Sequence, residues 1–92
     1  MFEKLAEVEK RLNEIELALQ DGDLYNDPKR AAELLREQKE LTPVVEAFRA
    51  YKQAQADLET AQELLHDDDP DMRDMAFAEV DEAKTRMAEI EE

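Results

Sequence analysis

Residues 39–48 read KELTPVVEAF, and the path of the backbone through Thr42-Pro43 decides how many elements the chain has. Proline inside a helix removes one hydrogen bond, and its ring presses on the preceding turn. Two readings stand side by side. One is a single helix kinked near residues 40–43. The other is a pair of helices with Thr42 as N-cap and Pro43 in the first helical position, where its missing N–H costs nothing. The apolar spacing bears on the choice. Leu34, Leu41, Val44, Phe48, Tyr51, Leu58 and Leu65 form a seam. Its heptad phase passes straight through Pro43, so the arms on either side keep a similar facing. Gln55 and Gln62 stand at alternate seam positions, and Ala54 and Ala61 beside them leave room for close packing.

Toward the N-terminus, Leu5, Val8, Leu12, Ile15 and Leu19 recur at steps of 3, 4, 3 and 4, the a/d stripe of an amphipathic helix over residues 2–21. Gly22 follows at once, and glycine is the residue that readily takes the left-handed conformation closing a helix. After the loop DGDLYN, Asp27-Pro28 supplies an N-cap and a first helical residue, opening a helix over 28–65 with a break near 42–43. Asp69-Pro70 repeats that signal for a helix over 70–92, with Ala76, Val80, Ala83, Met87 and Ile90 as its seam and Met72 and Met75 at its mouth. The pattern runs into EIEE without a closing signal. An acidic last turn opposes the helix dipole, as expected of a piece cut from a longer protein.

The expected fold is therefore all-α: one domain, residues 1–92, built as an elongated antiparallel helical bundle or coiled coil of three long helices, the second kinked or broken at Thr42-Pro43. At about 1.5 Å per residue the first helix is roughly 30 Å long and the second roughly 55 Å. The first can cover only one arm of the second, and the third pairs antiparallel with the other arm. The expectation is two offset hairpins that share a long helix.

Composition limits function. Charged residues make up 41% of the chain and aromatics 5%, so the core is a narrow aliphatic seam rather than a thick interior. The formal charge is −14, and both halves are acidic: residues 1–46 hold 7 basic and 12 acidic side chains, residues 47–92 hold 5 and 14. Phosphate contacts need clustered Lys and Arg, so the chain is expected to bind neither nucleic acid nor an anionic membrane. A basic protein surface suits it better. With no cysteine, disulfides and thiolate chemistry are absent. No apolar run reaches membrane length, and the expected location is cytoplasmic.

The stretch LLHDDDPDMRDM, residues 64–75, holds the chain's one histidine and five aspartates. A single imidazole is a poor start for a zinc site. Asp21, Asp23 and Asp27 resemble the start of a calcium loop, but its sixth and twelfth positions, which need Gly and Glu, hold Asn26 and Ala32. No nucleophile–base ordering, phosphate-cradling glycine loop or anion clamp is present. We expect no enzyme and no catalytic, cofactor or metal residue. Asp69 reads as an N-cap, with Asp71 and Asp74 favoured by the positive end of the helix dipole. That leaves Asp67 and Asp68 as an exposed acidic tip. Loops on a rigid scaffold often carry contacts, which makes Asp21, Asp23 and Tyr25 in one tip, and Asp67 and Asp68 in the other, the candidate partner-binding residues.

The run DLETAQELL, then DDDPDMRDMA, then AEVDEAKTRMAEIEE resembles the N-terminal helical domain of the bacterial peptide chain release factor 1 family. YNDP, AAELLREQKEL and VVEAFRAYKQA are similar to the same domain, so the likeness spans essentially the whole chain. Its sharpest part is DPDMRDMA after a long helix. Whole release factors read stop codons with a Pro-x-Thr motif and promote peptidyl-tRNA hydrolysis with a Gly-Gly-Gln motif. The single Gly22 rules out the second here, and no proline has a threonine two residues on. The resemblance implies the accessory domain of a translation termination factor. Such a domain lies near the GTPase-associated centre at the stalk base of the ribosome. It also contributes to recognition by the methyltransferase that modifies the Gly-Gly-Gln glutamine. The rival expectation is a free-standing acidic coiled-coil adaptor or chaperone that dimerises through its seam. Self-association of the isolated fragment stays open on either reading.

Overall fold

The computed structural model describes residues 2–91. Helix α1 spans Phe2–Leu19, a short 3-10 turn spans Gly22–Asn26, α2 spans Pro28–Leu64 and α3 spans Pro70–Glu91. The fold class is all-α, as expected; Glu92, which closed the expected third helix, lies outside the described residues. The chain divides into two compact units between Phe48 and Arg49, inside α2. They correspond to the two expected hairpins.

Helix α2 is continuous through Pro43, so of the two readings the single helix stands and the break near 42–43 does not occur. Pro43 has no N–H to offer the Lys39 carbonyl. One turn earlier, the Thr42 hydroxyl donates to the Gln38 carbonyl at 2.6 Å, a back-bond typical of Thr inside a helix. Packing holds the backbone helical across this weak point. Just beyond the proline, Val45 is 1% exposed and Phe48 6%. Burying two such side chains stabilises by about 1.5–3 kcal/mol each, enough to offset the roughly 3 kcal/mol that an interior proline costs.

In the first unit the buried positions of α1 are Leu12 and Ile15, flanked by half-buried Leu5, Val8 and Leu19. Leu24 of the 3-10 turn is buried in a cluster with Ile15, Ala31 and Leu34. The Phe2 and Phe48 rings lie 6.1 Å apart, and Arg11 meets Glu37. Numbers rise on one helix as they fall on the other, so α1 and this arm of α2 run antiparallel. The seam differs from expectation at one residue: Val44 is 42% exposed and Val45 is the buried neighbour. Steps of 3 and 4 from Ala31 through Leu34, Gln38 and Leu41 lead to Val45, not Val44.

The second unit pairs the rest of α2 with α3. Tyr51 Oη donates to Glu91 Oε1 at 2.9 Å and Arg86 Nη2 to Asp57 Oδ2 at 3.2 Å, again antiparallel. Its fully buried side chains are all alanine: Ala54, Ala61, Ala76 and Ala83. Gln55 and Gln62, expected on the seam, are exposed. The reason is a slip in register. Buried and half-buried positions run 45, 48, 51, 54 and then 58, 61, 65. Consecutive steps of three between Phe48 and Ala54 form a stammer in the heptad pattern, and it falls at the boundary between the units.

Candidate functional site

The first candidate tip is built from α1's exit. Gly22 does not adopt the expected left-handed conformation; no described glycine has positive φ. Other groups close the helix. The amides of Gln20 and Asp21 donate to Leu17 and Ala18 carbonyls at 3.2 and 3.1 Å, and the Tyr25 hydroxyl donates to the Leu19 carbonyl at 3.3 Å. With the last carbonyls satisfied this way, a glycine cap is not needed. Asp21 caps the 3-10 turn, its Oδ1 accepting the Asp23 amide at 3.0 Å. Asp27 Oδ1 accepts the Arg30 amide at 3.2 Å, the N-cap expected for α2. Of the predicted residues here, Asp21 is committed to the turn and Asp23 is exposed. Tyr25 combines a capping hydroxyl with a side chain left 59% exposed.

The second candidate tip is in the other unit. Asp69 caps α3, Oδ1 accepting the Asp71 amide at 2.9 Å. Asp67 departs from the expected acidic tip. It is only half-exposed, its Oδ1 accepts the Asp69 amide at 2.9 Å, and its carbonyl accepts Arg73 Nη1 at 2.7 Å. Asp68 is exposed. Arg73 is thus the clamp of this turn. Sequence reading missed it; its only signal is a cation placed early in a helix, where the dipole disfavours one.

Two cross-helix pairs were also invisible in the sequence. Arg11 grips Glu37 with two bonds, Nε to Oε1 at 2.7 Å and Nη2 to Oε2 at 2.8 Å. The guanidinium hydrogen bond pulls the Glu37 carboxyl below the usual carboxylate range and raises Arg11. In the second unit Arg86 pairs with Asp57, while its Nε is buried without a partner. The Tyr51 hydroxyl is pushed up by its bond to Glu91. An open groove of about 670 Å³ lies beside the Arg11–Glu37 pair, with Glu14, Lys29, Arg30 and Glu33 also in its lining. Among the described residues, no three His, Asp or Glu side chains converge as metal ligands would. Among the same residues, no helix is long and apolar enough to cross a membrane. The large apolar groups left most exposed are Phe77 at 73% and Leu17 at 69%, followed by Tyr25 and then Met75 at 58%.

Such a molecule is a helical module whose tips are closed by the caps of Asp21, Asp27 and Asp69 and whose helices are joined by ion pairs. The comparisons agree with that class. The PCRF domain family matches residues 8–92, and the chain belongs to it. The chain is 41% identical over 92 residues to peptide chain release factor 1 of Maridesulfovibrio salexigens, covering 100% of this chain and 26% of that protein. To peptide chain release factor 1 of Geobacter sulfurreducens it is 40% identical over 91 residues, 99% of this chain and 25% of that protein. The chain spans about a quarter of the length of these curated relatives. No solved structure matches it.

Proposed function

We propose that the chain is the accessory, non-catalytic docking domain of a translation termination factor. The observation that carries this is 41% identity to a release factor 1 along the entire chain. In this reading the domain places the factor on the ribosome near the GTPase-associated centre, against basic stalk-base proteins. It also helps the glutamine methyltransferase recognise the parent protein. Stop-codon reading and peptidyl-tRNA hydrolysis belong to other parts of that protein, and the setting is the cytoplasm.

Two features support the reading. With a charge of −14 the domain is repelled by bare phosphate and attracted to basic protein. The seams are used within the chain: Leu12, Ile15, Val45, Ala54, Ala61 and Ala83 are each 2% exposed or less, which leaves little seam for a coiled-coil adaptor to dimerise through. The test is binding of the purified chain to 70S ribosomes and, separately, to protein-free ribosomal RNA fragments in moderate salt. Binding to ribosomes without tight binding to the RNA is expected. Tight RNA binding, or a stable dimer in sedimentation at low concentration, would overturn the reading.

A further inference from the structure

Phe77 is the most exposed large apolar side chain among the described residues, at 73%. It lies on α3, one position past Ala76, which is 1% exposed. Successive helix residues are rotated by about 100°. Phe77 therefore stands at one edge of the outward side of α3, and Met75, 58% exposed, stands at the other. Between them that side presents Asp71, Asp74, Ala78 and Asp81, all exposed. Arg73, one turn before Phe77, has its guanidinium on the Asp67 carbonyl, and Lys84 stands two turns after it. The surrounding unit, residues 49–92, holds 5 basic against 14 acidic side chains, a net −9, whereas residues 1–48 come to −5.

An apolar anchor flanked by carboxylates on the outward side has the make-up of a binding hot spot, where a buried aromatic carries the energy and the rim sets partner choice. From this we infer that the outward side of α3 between Asp71 and Asp81 docks a protein surface consisting of an apolar groove flanked by Lys and Arg. The mode is helix-in-groove: Phe77 enters the groove, and Asp74 and Asp81, three positions before it and four after, face its basic rim. The charge decides against RNA as the occupant, since a −9 unit gains nothing from phosphate. It decides against a second copy too, because that would bring two −9 units together. The inference rests on the docking reading above and gives that reading a face and a partner chemistry.

The test measures affinity of the intact chain for 70S ribosomes, with Phe77→Ser and Met75→Ser as variants and p-benzoylphenylalanine placed at residue 77 for photo-crosslinking. Both side chains are exposed, so helicity and melting temperature should not change, and a lower affinity reports the contact itself. Phe77→Ser should weaken binding about tenfold, the effect of losing a central aromatic anchor. Met75→Ser, on the far edge of the helix, should leave affinity unchanged, and added salt should weaken binding. The crosslink should fall on a Lys- and Arg-rich segment of a ribosomal protein. Wild-type affinity in Phe77→Ser, or crosslinks to ribosomal RNA or to a second copy, would overturn the inference and leave the docking reading standing. No binding of the unmodified chain would overturn both.

Discussion

Replacing Pro43 with alanine tests the central structural result, the continuity of α2. If Pro43 is a helix-interior residue, as found, Pro43→Ala supplies an N–H to the Lys39 carbonyl and removes the ring from the preceding turn. Proline is about 3 kcal/mol worse than alanine in a helix interior. Part of that gain is returned, because the unfolded chain regains freedom that proline denied it, about 0.4–1 kcal/mol. The expected net is a stabilisation of about 2 kcal/mol, or roughly 10 °C in melting temperature for a chain of this size. Thr42→Ala is the companion. Its hydroxyl only back-bonds to the Gln38 carbonyl, so alanine, a better helix former by up to about 0.7 kcal/mol, should leave stability unchanged or higher. Had the helix restarted at Thr42, both signs would differ. Alanine at a first helical position would gain nothing, and loss of the threonine cap would cost about 1 kcal/mol. Thermal unfolding followed by far-UV circular dichroism reads both variants. A neutral Pro43→Ala together with a destabilised Thr42→Ala would refute the continuous helix.

Three further outcomes follow from the same geometry. Gly22→Ala should stabilise by about 0.4–1 kcal/mol in chemical denaturation, because Gly22 does not have positive φ and a Cβ there meets nothing within 4 Å; a loss of stability would restore the left-handed cap. Ala83→Leu should destabilise by about 1–3 kcal/mol through overpacking, since Ala83 is 0% exposed, whereas Gln62→Leu, at an exposed position, should have little effect on melting. Glu37, held below the usual carboxylate range by Arg11, contributes stability that is present above its unfolded-state value and is lost as pH falls through its folded value. Glu37→Gln should therefore match the unmodified chain in strong acid, fall below it as pH rises from the lowered folded value to the ordinary carboxylate value, and keep a constant gap from there to neutral pH.

Much of the architecture was legible because its signals are local. Asp27-Pro28 and Asp69-Pro70 mark helix starts through capping, which involves residues two or three apart, and both caps are observed. The seam of α1 was legible because Leu12 and Ile15 have no apolar rivals at adjacent positions. The α2 seam was not, because Val44 and Val45 are chemically alike and only the packed partner decides which is buried. The polar Gln38 at a half-buried position and a stammer with no composition signal hid the register further. Gly22 misled because a glycine cap is one of several ways to satisfy a helix end, and Tyr25 supplies another from six residues away. The Arg11–Glu37 and Arg86–Asp57 pairs join residues 26 and 29 apart, beyond any local rule. Phe77 was legible in principle as a large aromatic directly beside an alanine seam.

The two units differ in how they are held, and that difference bears on docking. The first buries Leu12, Ile15, Leu24, Leu34, Val45 and Phe48, while the fully buried set of the second is four alanines. A buried methyl or methylene contributes about 0.8 kcal/mol, against about 1.5–3 for a large aliphatic side chain. Half-buried Leu58, Leu65, Met72, Val80, Met87 and Ile90 make up part of the gap. The second unit also bears the larger like-charge repulsion, −9 in 44 residues. It is therefore the less stable of the two, and local opening begins there. A basic partner seated against α3 would neutralise that charge and bury Phe77 together, and would stabilise the unit by an amount that grows with the logarithm of partner concentration once that exceeds Kd. On the proposed docking, the weak core and the acidic, aromatic face have a single explanation: this unit would reach its full stability on its partner.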